Sequence, residues 1–216
     1  LMRTQTTLEK ALDINTDIKL YGTFAEIGAG QEVARQFFQA GKASQTIALT
    51  ISAYDMTYSD IIYGKEKSGR YVCDSRLKHM LEKEFEKLIK RLNEVRGNKT
   101  TFFAFADTVA TASKNSHGWM GVKFQHKIGA PASEIRMHVR LLDKQRLLQQ
   151  ECLSKLGVNL IHSCLYKTSN SNDFTASIFD QLKLGSISVD AIHFEGPAFT
   201  KFDPLYVNLS LIQMGW

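Results

Sequence analysis

The residues with the most chemical promise lie in the run YGTFAEIGAGQEVARQFF, from Tyr21 to Phe38. An apolar stretch passes through Gly28-x-Gly30 into a helical pattern. The first-turn N–H groups of such a helix lack internal partners and can hold a phosphate through backbone donors and the helix dipole. Glycines at 28 and 30 let a ligand approach the backbone closely. Gly22, Thr23, Gly28, Gly30, Gln31 and Arg35 are therefore the expected ligand-binding residues for a nucleotide or other phosphorylated small molecule. Glu26 and Glu32 would repel an unshielded phosphate, so the one cofactor this reading suggests is Mg²⁺ accompanying a nucleotide. The competing reading is a tight glycine turn packed against a sheet. A full dinucleotide fingerprint is absent, because Val33 stands where the third glycine of G-x-G-x-x-G belongs.

Three further residues are candidates for catalysis. Asp55 and Asp107 each follow an apolar strand pattern, where α/β proteins gather ligand-binding groups, and two carboxylates there could bind Mg²⁺ beside a phosphate. Each is equally placed to cap a following turn or helix. His117, in the polar run SKNSHGW, has the chemistry of an acid or base, or is simply solvated. His138, His162 and His193 fall in strand patterns without metal-ligand spacing, and Cys73, Cys152 and Cys164 form no CxxC, so no resident metal site is expected. Gly-x-Ser-x-Gly, HExxH and Walker motifs are all missing, and enzymatic activity is left open. Tyr54, Tyr58 and Tyr63 read as packing anchors.

These residues must be carried by a mixture of strands and helices. Strand patterns run over 17–24, 46–53 and 101–106, the last two read as buried, and an antiparallel pair over 118–125 and 134–142 joins through Gly129-Ala130-Pro131. Helical patterns cover 31–39 and the segment from Asp74 to Gly97, where Leu77, Leu81, Phe85, Leu88, Leu92 and Val95 form one stripe. In the last third, Gly157, Gly185 and Gly215 are each expected to close a helix, the first two just before the strands VNLIHSCLY and ISVDAIHF and the third after a final helix over 207–214. The expected fold class is α/β: a mixed, mainly parallel sheet flanked by helices. No strand follows Gly215, so the plan is expected to be an incomplete portion of a larger α/β protein. Residues 1–16 read as an N-terminal tail or processed segment, and 17–216 as a single domain truncated at its C-terminal side.

The loop resembles the nucleotide motif G-T-F-D-P-x-H-x-G-H of nicotinate-nucleotide adenylyltransferases through Gly22, Thr23, Phe24 and Gly30. Ala25 replaces its acidic residue, and Gly28 and Gln31 replace both phosphate-contacting histidines. Across Ala11 to Gly215 the segments LYGTFAEIGAGQEVARQFF, TISAYDMTYSDIIYG, FFAFADTVA and LLQQECLSKLGVNLI look like the N-terminal half of longer bacterial proteins of no established activity. Members of that family carry the labels nicotinate-nucleotide adenylyltransferase or TonB-dependent receptor. The resemblance implies nucleotidyltransferase-like ancestry without its histidines. The receptor label has no support in signal peptide or strand spacing.

Composition bounds the rest. The 216 residues are 44% hydrophobic and 23% charged, with 14 Gly and 3 Pro, enough for a packed core and not for a disordered or collagen-like chain. No apolar run approaches the ~20 residues of a membrane span. The net charge of +5 is accounted for by eleven basic and six acidic residues between Lys65 and Lys99, a solvated helix face more than a nucleic-acid patch. A nucleic-acid partner is not expected. Three unpaired cysteines suit a reducing compartment: the cytoplasm, or an organelle matrix if the N-terminus is processed. The alternative function is a non-catalytic structural subunit of a larger, even organellar, assembly, with protein partners or a second copy of the chain.

Overall fold

The structure, a computed structural model, describes residues 4–28, 31–111 and 114–216. Six strands form one sheet: β1 (Leu20–Gly28), β2 (Ile47–Ala53), β3 (Thr101–Ala110), β4 (His117–Phe124), β5 (Ser133–Leu141) and β6 (Ile187–Glu195). Their order across the sheet is β2-β1-β3-β4-β5-β6. β1 is parallel to both β2 and β3, and the remaining three pairings are antiparallel. The mixed sheet flanked by helices is as expected. It is less parallel than expected, because only β1 to β3 are joined by helical crossovers, whereas β3, β4 and β5 follow one another as hairpins.

Among the described residues seven α-helices cover the sheet: α1 (Thr7–Thr16), α2 (Val33–Ala40), α3 (Met56–Tyr63), α4 (Asp74–Arg96), α5 (Arg146–Tyr166), α6 (Ser171–Ile178) and α7 (Pro204–Met214). One face of the sheet, presenting Phe24, Phe103, Phe105, Met120, Val122, Ile135 and Met137, is buried against α1, α2, α5, α6 and α7. The other face, with Ala25, Phe102, Ala104 and Ala106, receives Leu77, Met80, Leu81, Phe85 and Leu88 of α4. The period-two alternation of the strands is what separates the two cores. Among the described residues no helix is long and apolar enough to cross a membrane.

Two expectations are corrected. VNLIHSCLY is not a strand: it is the C-terminal half of α5, which runs unbroken through Gly157. The strand at 47–53 is not fully buried; β2 is a sheet edge with Leu49 exposed. Residues 7–16 form α1, which opens with a Thr6–Glu9 capping box and buries Lys10, Ala11, Ile14 and Asn15.

Candidate functional site

β1 and β3 lie side by side and parallel, with Glu26 in register with Asp107 near their C-terminal ends. Both side chains point to the face covered by α2 and α5, following the alternation of Phe24, Phe103 and Phe105. Glu26 is 4% exposed and Asp107 is fully buried. Glu26 Oε1 accepts the Val33 N–H at 3.0 Å, and Oε2 accepts the Ala34 N–H at 3.2 Å. Glu32, at the N-cap position of α2, gives no side-chain cap. A carboxyl from the neighbouring strand therefore supplies the acceptor and the negative charge that the first turn of α2 demands.

Asp107 has no comparable support. Neither of its oxygens has a well-formed hydrogen bond to a protein donor, and the Ile27 amide is the least of the influences on it. Its significant neighbour is the Glu26 carboxyl. Burial, then the proximity of Glu26, holds Asp107 well above the usual carboxylate range. Burial also pushes Glu26 up to about 7, against the opposing pull of the Ala34 and Val33 amides. Two carboxyls this close in a dry site do not both ionise, so the pair retains a proton near neutral pH and titrates as a unit.

The other expected site residues are dispersed. Gly22 lies six residues before Gly28, roughly 20 Å along the strand. A Cβ there would stand 2.2 Å from Phe103 Cζ, so this glycine makes room for a ring. Thr23 is buried and donates its hydroxyl to the Leu49 carbonyl at 3.0 Å. Gly28 has φ +76°, and a Cβ would meet the Val109 carbonyl at 2.3 Å, so glycine is required at the end of β1. Gly30 lies outside the described residues. Gln31 is half-buried beside the start of α2, and Arg35 is 64% exposed, 3.6 Å from Glu32. Asp55 is an exposed cap, accepting the Tyr58 N–H at 2.8 Å at the start of α3. His117 belongs to β4 and shares the face of Trp119, which packs toward α4, so it stands across the sheet from Asp107. Asp55, Asp107 and His117 thus do not converge. Among the described residues no group of three or more His, Cys, Asp or Glu is arranged to hold a metal.

In the sequence Glu26 stands only as a charge that would repel phosphate. Its partners are set by the adjacency of β1 and β3 and the start of α2, and the one available signal was an acid two residues before the glycine loop.

A three-layer α/β protein with a parallel half-sheet and a buried carboxyl pair at its strand ends is the class that these observations define. Its fold is shared with solved structures of the competence-damaged (CinA) superfamily. A competence/damage inducible protein from Agrobacterium tumefaciens matches with a TM-score of 0.54 at 15% identity, over 74% of this chain and 97% of that one. A superfamily protein from Enterobacter cloacae gives 0.53 at 13%, over 76% and 95%. One from Klebsiella pneumoniae gives 0.54 at 10%, over 74% and 98%. No protein-family model and no curated protein matches. These findings overturn the resemblance to nicotinate-nucleotide adenylyltransferases and to the family labelled with them or with TonB-dependent receptors. Gly22, Thr23 and Phe24, which carried the first resemblance, are interior residues of β1 rather than a phosphate loop. The shared fold takes in nearly the whole of each matched chain.

Proposed function

We propose that this chain binds a nucleotide or other phosphorylated small molecule over the C-terminal ends of β1 and β3, at the loop leading into α2. The observation that carries this reading is the Glu26–Asp107 pair. Burying two carboxyls with no cation beside them is costly, and such perturbed acids concentrate at ligand sites, as ligands do at the carboxyl ends of parallel strands. Because Glu26 already occupies the Val33 and Ala34 amides, the phosphate is met by the loop before them and by the side chains of Gln31 and Arg35. The shared proton leaves the floor beneath it with one negative charge in place of two, and Mg²⁺ arriving with the nucleotide offsets the remainder.

The test is a thermal-shift series with ATP, NAD and inorganic phosphate, with and without Mg²⁺. A ligand at 100 times its Kd adds about 2.7 kcal/mol, which raises the midpoint by roughly 5–10 °C at this chain length. The expected result is a shift with one phosphorylated ligand that Arg35→Ala abolishes while the unliganded melt is unchanged. A melt that none of the probes moves overturns the reading. A second reading, a non-catalytic structural subunit, is supported by the exposed Tyr54, Met56, Tyr58 and Ile61 around α3. It predicts self-association of the purified chain that Ile61→Glu disperses.

A further inference from the structure

The opposite face of the sheet carries a second polar constellation that the site above does not use. In the β5–β6 ladder His138 pairs with Ala191 and Val139 with Val189, so Asp190 is the extra residue of a β-bulge. Bulges re-aim a side chain, and this one turns the Asp190 carboxylate onto His138 Nδ1 and, at 2.8 Å, onto Arg140 Nε. The other nitrogen of His138, Nε2, lies 2.8 Å from His117 Nδ1. Trp119 closes the flank, its ring 5.1 Å from His138 and stacked on His193 at 6.0 Å.

The order of the chain assigns its protons. A carboxylate only accepts, so His138 carries a proton on Nδ1, and with that proton alone its Nε2 is an acceptor. His117, itself half-buried, must then donate from Nδ1, which leaves its lone pair on Nε2. The charged groups facing His117 are His138 and Arg140 of β5 and Asp190 of β6. Burial, then His138 and Arg140, holds His117 below the ordinary histidine value, so it is a free base at neutral pH. Arg140 is paired across the ladder with His117 and more than half exposed. Its Nε is engaged with Asp190, so the Nη donors of the guanidinium are the groups that an anion would take.

We propose that this face is a hydrolytic site for a small carboxylic ester bearing an anionic group, with His117 as general base, His138 and Asp190 as positioning residues, and Arg140 as the anchor of the anion. Water oxygen bonds to the ester carbon as its proton passes to His117 Nε2. The His117 Nδ1 proton moves to His138 Nε2, and the positive charge rests on His138 beside Asp190. The tetrahedral adduct then collapses: the carbon–oxygen bond to the alcohol breaks, His117 Nε2 returns its proton to the leaving oxygen, and the His138 proton moves back. Ester and water give acid and alcohol, and the relay ends as it began.

The experiment follows hydrolysis of mono-4-nitrophenyl glutarate, an anionic ester, beside neutral 4-nitrophenyl acetate. The expected kcat rises with pH to a plateau, with a midpoint below 6.5. His117→Gln removes it, and Asp190→Asn lowers kcat at least tenfold with little change in KM. Arg140→Ala raises KM for the glutarate ester by a much larger factor than for the acetate. A readout independent of turnover is the ¹⁵N spectrum of the histidines, which should show His138 protonated at Nδ1, with that preference lost in Asp190→Asn. Rates unchanged by His117→Gln, or His138 protonated at Nε2 in the unsubstituted chain, overturn the proposal.

Discussion

At the scale of single residues, the Glu26–Asp107 pair ties stability to pH in a direction opposite to most acids. Ordinary paired carboxylates have depressed pKa values and stabilise a fold at high pH. Here both folded-state values are raised, Glu26 to about 7 and Asp107 in the same direction. The folded chain binds more protons than the unfolded chain between about pH 4 and 7. The pair's contribution is therefore complete below the unfolded values and is lost as pH rises through about 7. Asp107→Asn removes one of the two charges and offers Glu26 an amide donor. The variant should exceed the parent by about 1–2 kcal/mol at pH 8 and lose that advantage at pH 4.5, as read from urea midpoints. An equal difference at both pH values would falsify the shared-proton account. None of this was legible in the sequence, where Glu26 and Asp107 are 81 positions apart and each looks like an isolated strand-end acid. Asp55 was legible in one of its two readings, because the cap of a following helix is a local matter.

At the scale of elements, legibility followed periodicity. The α4 stripe, the β4–β5 alternation and the ISVDAIHF strand were readable because one face of each differs from the other. α5 was not. Its C-terminal half is buried on nearly all sides, from Leu156 through Cys164, so its apolar run carries no helical period and looks like a buried strand. Gly157 added to the error by standing where a helix terminator belongs. Gly215 does take the left-handed cap conformation at the end of α7, whereas Gly157 is a contact point. A Cβ there would lie 2.4 Å from Val33 Cγ2 and 3.2 Å from Phe105 Cζ. Ala is the better helix former by about 1 kcal/mol, yet overpacking at a helix–helix contact costs about 1–3 kcal/mol. Gly157→Ala should therefore destabilise the chain by about 1–2 kcal/mol. Adding Val33→Ala should recover part of the loss, giving a favourable coupling in a double-mutant cycle. A stabilised Gly157→Ala would show that α2 and α5 are not in contact there.

At the scale of the whole molecule, the segment that read as a tail is what binds distant parts of the sequence together. The Lys10 ammonium, 1% exposed, reaches Asp180 Oδ2 at 2.6 Å, Ser177 Oγ at 3.0 Å, and Asn159 Oδ1 and the Ser177 carbonyl at 3.1 Å each. Burial lowers its pKa, and Asp180 opposes the shift. On the same helix Asn15 donates to the carbonyls of Phe37 and Gly41, both at 2.8 Å, so α1 joins the parallel half of the fold to α5 and α6. The sequence hid this because a short helix with a lysine at its centre has no strong apolar stripe, and a buried lysine is recognisable only with its acceptors in place. Removal of residues 1–16 takes Ala11 and Ile14 out of the core and leaves Asp180 and Asn159 without their cation. The shortened chain should unfold without a sharp transition, or at a urea midpoint lower by several kcal/mol equivalent. Lys10→Met keeps the helix and its apolar contacts but deletes the charge. It should cost about 1–3 kcal/mol through the acceptors left unpaired, with an unchanged m-value. A chain lacking residues 1–16 that melts like the parent would mean that α1 lies on the core without supporting it, and the Lys10 variant would then be neutral as well.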